Sequence, residues 1–236
     1  MLIYGIHACK NALKQKEQEI LKVYVQKEKV HNWISEVPKH KICYITAFEM
    51  KNMLPSNAVH QGVVMEVENV KYSDISELAS APKNCVVAIL DNVTDPQNFG
   101  AIIRTAAAFG IKGIITTEKC SCSINGTVAK TASGGLSFVS IYIVKNLSQA
   151  INDLKKFGFW VVSFCERGEK FLNEIDLKGK TCLILGAEGS GIRRLQKENS
   201  DFVVKLPTKP SFPTLNVSVS AGIAFYEAAK QNGFSL

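Results

Sequence analysis

Three stretches of this chain combine polar side chains and glycines in spacings that could do chemistry, and each follows an apolar run. The first runs from Leu90-Asp-Asn-Val-Thr-Asp-Pro-Gln-Asn98 into Phe99-Gly-Ala-Ile-Ile-Arg104. Asn98 falls near the start of an expected helix, and Arg104 interrupts an otherwise apolar helical stretch. A guanidinium is a planar fork suited to a phosphate or ribose oxygen. Two bland roles compete equally: Arg104 snorkelling to solvent, and Asn98 capping the helix. The second stretch is Leu183-Ile-Leu-Gly-Ala-Glu-Gly-Ser-Gly191, with Glu188 just past a strand and Gly186, Gly189 and Gly191 letting backbone approach a ligand closely. An ordinary tight turn is the alternative. The third runs from Val203 through a proline-rich loop to Leu215-Asn-Val-Ser-Val-Ser220. Asn216, Ser218 and Ser220 crowd a helix start, where they can cap orphan amides or form an anion or hydroxyl site.

The elements that would position these stretches are legible from pattern. Cys85–Leu90 is a continuous apolar run, as expected of a parallel strand buried on both faces. Gly113–Thr117, Ile141–Val144, Phe159–Phe164 and Cys182–Leu185 repeat it. Helices are expected at Phe99–Phe109 with Gly110 closing it, at Ser148–Phe157 with Ser148 as N-cap, and at Asn216–Lys230. Strands alternating with helices imply an α/β parallel sheet covered on both faces. Residues 1–68 read as a separate small mixed α/β domain. It has helices at Gly5–Leu13 and Phe48–Leu54, and strands at Leu21–Gln26, Ile42–Ile45 and Gly62–Val67. Residues 69–84, with weaker hydrophobic order and Pro82, read as a linker holding one helical turn, and 85–236 as the large domain.

Several chemistries are excluded. All four histidines lie in the first 60 residues, so the large domain cannot build a Ser/His/Asp triad of its own. Lys178-Gly-Lys-Thr181 lacks the earlier glycine of a P-loop, where Glu174 stands. Gly189-Ser-Gly-Ile-Arg-Arg194 has Arg194 where a dinucleotide fingerprint needs its third glycine. The seven cysteines are odd in number and scattered, which points to a reducing compartment and away from a disulfide framework. Cys120 and Cys122 form the one close pair, with no histidine near, so no metal is expected. No stretch reaches bilayer length and the first residues lack a signal-peptide pattern, so a cytoplasmic chain without membrane contact is expected. The 28 Lys+Arg against 21 Asp+Glu give a net charge of +7, compatible with a polyanionic partner.

Taken in order, the three stretches resemble the signature motifs of the SpoU (TrmH-like) RNA ribose 2'-O-methyltransferases of the SPOUT superfamily. Asn98, Gly100, Arg104, Thr105 and Ala106 match the first, Gly186, Glu188, Gly189 and Gly191 the second, and Leu215, Asn216, Val217 and Ser218 the third. Tyr4-Gly-Ile-His-Ala8 and His60-Gln-Gly-Val-Val64 resemble the opening and closing of the L30e-like domain in the bacterial 23S rRNA (guanosine-2'-O-)-methyltransferase branch. One departure is Ser211-Phe-Pro-Thr214, where the family more often has a serine-rich stretch. The resemblance implies a trefoil-knotted sheet domain after a small L30e-like domain that selects the RNA. It also implies S-adenosylmethionine as cofactor, a homodimer, and RNA but not DNA as partner. Gly186, Leu206 and Leu215 would supply backbone contacts to the cofactor. Arg104 would be catalytic, with Asn98, Glu188, Asn216 and Ser218 holding loops and nucleotide. The expected activity is ribose 2'-O-methylation of rRNA, with tRNA or a catalytically silent RNA-binding assembly factor as alternatives.

Overall fold

Strand β5 (Val86–Asp91) is buried at every position, and its alternate residues feed two different cores. Val86, Ala88 and Leu90 face one helical layer, while Val87 and Ile89 face the other. The same holds for β10 (Thr181–Gly186), where Leu183 and Leu185 part from Cys182 and Ile184. A strand buried on both sides has no use for polar alternation, which explains the unbroken apolar runs.

The computed structural model describes residues 1–14, 19–29, 31–56, 58–68, 70–118, 124–187, 191–209 and 211–233. The larger of two sheets has the order β7-β6-β5-β10-β8-β11-β9 and is parallel throughout. Its remaining strands are β6 (Gly113–Thr117), β7 (Ser140–Val144), β8 (Trp160–Phe164), β9 (Lys170–Phe171) and β11 (Phe202–Lys205). Helices α3 (Pro96–Ala108), α4 (Gly126–Ala132) and α7 (Val217–Gln231) bury Phe99, Ile102, Val128 and Phe225 on one face. Helix α5 (Leu147–Lys156) covers the other through Leu147, Ile151 and Leu154, with α6 (Arg194–Glu198) packed beside it.

The smaller sheet, β1-β4-β2-β3, is mixed. Strands β1 (Leu2–Tyr4) and β2 (Ile20–Gln26) run antiparallel to β4 (Val63–Val67), and β3 (Ile42–Ile45) runs parallel to β2. Helices α1 (Ile6–Lys14) and α2 (Ala47–Asn52) accompany it. Between the sheets, Ser73 bridges to Tyr142, and a 3-10 helix at Ile75–Ser80 buries Leu78 in the larger core.

Several details differ from the sequence expectation, among them the following. Strand β1 was not anticipated, because three residues carry no readable period. Helix α4 was also unforeseen, since its Gly126-Thr-Val-Ala-Lys-Thr-Ala132 is poor in strong helix formers. The N-cap of α5 is Asn146 rather than Ser148: its Oδ1 accepts from the Ser148 and Gln149 amides. Cysteines 9, 43, 85, 165 and 182 are free thiols, and burial pushes Cys9 up to about 12. The Cys120–Cys122 pair lies outside the described residues.

Candidate active site

Because every strand of the large sheet runs the same way, their C-terminal ends share one edge. Ligands of open α/β sheets bind at such an edge, where the strand order reverses. Here the chain builds outward from β5 to β6 and β7, then returns to place β10 and β8 on the opposite side. A cleft of about 1040 Å³ opens beside the ends of β8, β10 and β11. Its wall is made by Phe164–Arg167 after β8, by Leu185–Ala187 and Gly191 after β10, and by Lys205–Leu206 after β11. The segment from Phe212 to Val217 closes it.

Gly186 is required sterically. A Cβ there would collide with the Gly191 carbonyl group and the Ile192 amide nitrogen. The backbone doubles back at this point, with the Gly191 N–H donating to the Ala187 carbonyl at 2.9 Å and Gly191 at φ +62. The whole turn is tied to the end of β5. Asp91 is fully buried, and its carboxylate accepts from the Arg193 backbone amide at 3.1 Å and from Arg193 Nε at 2.8 Å. The Asp91 carbonyl accepts from the Ala187 N–H at 3.1 Å. A buried carboxylate needs such partners, since an unpaired one is costly. Neither residue was assigned a role from sequence. The available signal was an aspartate closing a six-residue buried run, with an arginine just past a glycine turn.

The first and third motifs meet directly. Asp95, not Asn98, caps α3: its carboxylate accepts from the Gln97 and Asn98 amides at 3.2 and 3.1 Å, with Pro96 at the first helical position. Asn98 is therefore a first-turn residue, and its Oδ1 accepts from Asn216 Nδ2 at 3.0 Å across 118 residues of sequence. Asn216 caps α7, its Oδ1 accepting from the Ser218 amide at 2.9 Å and from Ser218 Oγ at 2.6 Å. Asn216 also lines the cleft, as do Gly186, Leu206 and Leu215. Asn98, Asn216 and Ser218 thus form one polar chain at its mouth. Glu188 and Gly189 lie outside the described residues.

Arg104 stands apart. It is exposed on α3 and does not line its own chain's cleft. The turn at Gly135 packs against it so closely that a Cβ on Gly135 would sit 3.1 Å from Arg104 Cα. Gly100, the motif glycine one turn earlier, faces α4 instead: a Cβ there would come within 2.6 Å of Thr131 Cβ and 2.8 Å of the Val128 carbonyl. Sequence reasoning missed the cleft's far wall, including Cys165, Arg167, Phe171, Lys197 and Lys205. Those residues carry no fixed spacing, and only strand order gathers them.

Residues 85–226 match the SpoU rRNA methylase family, and residues 2–73 match a domain described as RNA 2'-O ribose methyltransferase substrate binding. The chain belongs to the SpoU rRNA methylase family. A relative in Coxiella burnetii, named 23S rRNA (guanosine-2'-O-)-methyltransferase RlmB, is 36% identical over 239 residues, covering 97% of this chain and 95% of the relative. Among solved structures, the SpoU methyltransferase AviRb from Streptomyces viridochromogenes, in complex with AdoMet, superposes with a TM-score of 0.83 at 20% identity. It covers 98% of this chain and 90% of its own, which shows a shared fold. The A. aeolicus TrmH/SpoU tRNA modifying enzyme is 29% identical with a TM-score of 0.57, over 66% of this chain and 80% of its own. This SpoU chain is an RNA methyltransferase.

Proposed function

We propose that this chain transfers a methyl group from S-adenosylmethionine to the 2'-hydroxyl of a guanosine in 23S rRNA. The observation that carries this is the convergence of all three motif segments on one edge, with Asn98 bonded to Asn216 beside the cleft that Gly186 shapes. Near-full-length similarity to enzymes of that name supports the RNA target. The similarity to a tRNA enzyme spans only two thirds of the chain, which favours rRNA.

The cleft suits the cofactor. Its volume is at the upper end of the roughly 300–1000 Å³ typical of ligand sites. Leu206 and Leu215 offer apolar surface for an adenine, and the Gly186–Ala187 and Leu206 backbones offer amide and carbonyl groups. When bound, the cofactor supplies a methyl group activated by its sulfonium. The protein then acts by placing a ribose hydroxyl in line with that methyl and easing loss of the hydroxyl proton. Asn98, Asn216 and Ser218 hold the loop ends that fix this geometry. Glu188 is assigned to the same group on motif position. A guanidinium does not act as a base in proteins, so the role left to Arg104 is electrostatic. It orients the ribose and its phosphate and stabilises negative charge developing on oxygen.

The proposal extends to assembly. Residues 85–236 form the catalytic domain, 1–68 an L30e-like domain that selects RNA, and 69–84 their connection. The chain is knotted around the cofactor loops. Support for this is that β10 and β8 separate β11 from β5 in the sheet, yet Asn216, which follows β11 in sequence, bonds to Asn98 on the helix after β5. The protein acts as a cytoplasmic homodimer with each site near the subunit interface. Arg104, exposed and outside its own cleft, fits a site completed by a second copy. Ribose-methylation mapping across rRNA and tRNA, with and without the protein, tests the target. One 23S guanosine losing its 2'-O-methyl on deletion and regaining it on addition of protein and cofactor is the expected result. A change confined to tRNA overturns the rRNA assignment.

A further inference from the structure

The Tyr4-Gly-Ile-His7 and His60-Gln-Gly62 stretches take no part in the cleft, yet they meet at one rim of the small sheet. Strands β1, β2 and β3 end at this rim and β4 begins there, as their registers require. The Gly5 N–H donates to the Val63 carbonyl at 3.2 Å, and the Gln26 N–H to the Gly62 carbonyl at 3.0 Å. Gln61 Oε1 accepts from the Ile6 amide at 3.0 Å, so the start of α1 already has a partner. Gln61 does this from a left-handed backbone, φ +54, which is disfavoured for a residue with a Cβ and persists only where its surroundings impose it.

This construction sets two donors side by side. The Gly62 amide donates to His60 Nδ1 at 3.1 Å, so the neutral ring carries its proton on Nε2. Partial burial, followed by the nearby Lys29 charge, holds His60 below its ordinary pKa and favours that neutral form. The Lys29 stem lies across Gly62, where a Cβ would come within 2.5 Å of its Cδ. Glycine at 62 therefore makes the seat for the lysine. Lys27 adds a second exposed cation on the same rim. The rim's carboxylates are engaged: Glu28 accepts from Gln26 Nε2 at 2.8 Å, and Glu49 closes the capping box of α2 with Thr46. Among the described residues, Lys27 and Lys29 form no ion pair.

The geometry points to an RNA-backbone site at this rim, in which Lys29 neutralises a phosphate and His60 Nε2–H donates to an adjoining phosphate or ribose oxygen. This rests on the reading that the chain methylates RNA. Such contacts fix register on the RNA and carry no sequence information of their own. The rim is thus a positioning surface that serves the distant cleft.

The test uses the full chain and transcribed 23S rRNA as probe, with binding measured across a salt series. Lys29→Met keeps the stem over Gly62 and removes the charge. It should weaken binding about 5- to 10-fold and make the slope of log affinity against log salt shallower by about 0.7–0.9, the value of one phosphate contact. His60→Ala should weaken binding about 3- to 10-fold, the scale of one ordinary hydrogen bond, and leave that slope unchanged. Cofactor affinity should stay at the wild-type value in both. Lys29→Arg keeps stem and charge and should restore the wild-type slope. Failure of Lys29→Arg to restore it would show that the lysine only packs, and would overturn the proposal. Wild-type affinity and slope in Lys29→Met would overturn it as well, while leaving the methyltransferase reading intact. A wild-type chain that binds neither the RNA nor the cofactor would sink that reading itself.

Discussion

At the residue scale the sharpest division is between groups that shape the cleft and the one group assigned to the reacting oxygen. Gly186, Asp91 and Arg193 hold a turn, and Asn98, Asn216 and Ser218 hold loop ends. Arg104 combines exposure with a charge suited to an alkoxide or phosphate. Its replacement should therefore separate catalysis from folding. Arg104→Ala is expected to lower kcat about 10²- to 10³-fold, the usual cost of removing one preorganised stabiliser of negative charge. Stability should move by no more than about 0.5 kcal/mol, as for other surface positions. Arg104→Lys should recover only part of the rate, because an ammonium lacks the planar fork. Single-turnover methylation with saturating cofactor measures this directly. Wild-type turnover in Arg104→Ala would remove Arg104 from the mechanism.

At the element scale, a motif glycine proves to be a packing residue. Gly100 lets α3 and α4 touch, with Thr131 and the Val128 carbonyl where a side chain would go. Gly100→Ala gains about 1 kcal/mol of helix propensity but forces backbone apart, and overpacking of this kind costs about 1–3 kcal/mol. The carbonyl cannot rotate away as a side chain could, so the clash should win. A fall in Tm of several degrees is expected, read by calorimetry, with cofactor affinity close to wild type. A higher Tm would mean that α4 moves freely and that the close approach carries no weight. The contrast with Gly186 shows what the sequence could and could not reveal. Parallel strands were legible because burial on two faces writes an unbroken apolar run, as in Cys85–Leu90. Gly100 and Gly186 stood out in the sequence through its resemblance to the SpoU motifs. The reason for each glycine was not, since one serves a helix crossing and the other a doubled-back loop. The cap of α5 lies two residues before the expected Ser148 because Asn146 stands just upstream of it, and Asp95 takes the capping role that was one of two open for Asn98. The wall formed by Cys165, Arg167 and Lys205 was invisible, because β8 and β11 become neighbours only in the folded sheet.

At the scale of the whole molecule, α7 raises the question of what covers it. Val217, Ala221, Ala224, Phe225 and Ala228 bury one face against the sheet. Leu215, Val219, Ile223 and Tyr226, spaced by four, four and three residues, form an exposed apolar stripe on another. Tyr226 extends it by an edge-on contact with Phe109 at the end of α3. Scattered exposed apolar residues need no explanation, but a continuous stripe marks an interaction surface. The homodimer proposed above would cover it. Leu215 belongs both to the stripe and to the cleft wall, so whatever covers the stripe also borders the site. Arg104 lies on α3, which packs along α7, and is thus carried by the same pair of helices. A carboxylate placed in the stripe would be buried unpaired on association and solvated in the free chain. The double substitution Val219→Asp, Ile223→Asp should consequently yield a folded monomer by sedimentation, with circular dichroism unchanged. If Arg104 of one copy serves the cleft of the other, as proposed, methyl transfer should fall at least about 100-fold, the cost of losing one such electrostatic group. A monomer that retains full turnover would show that each chain carries a complete site, and Arg104 would then have to reach its own cleft by a movement of α3.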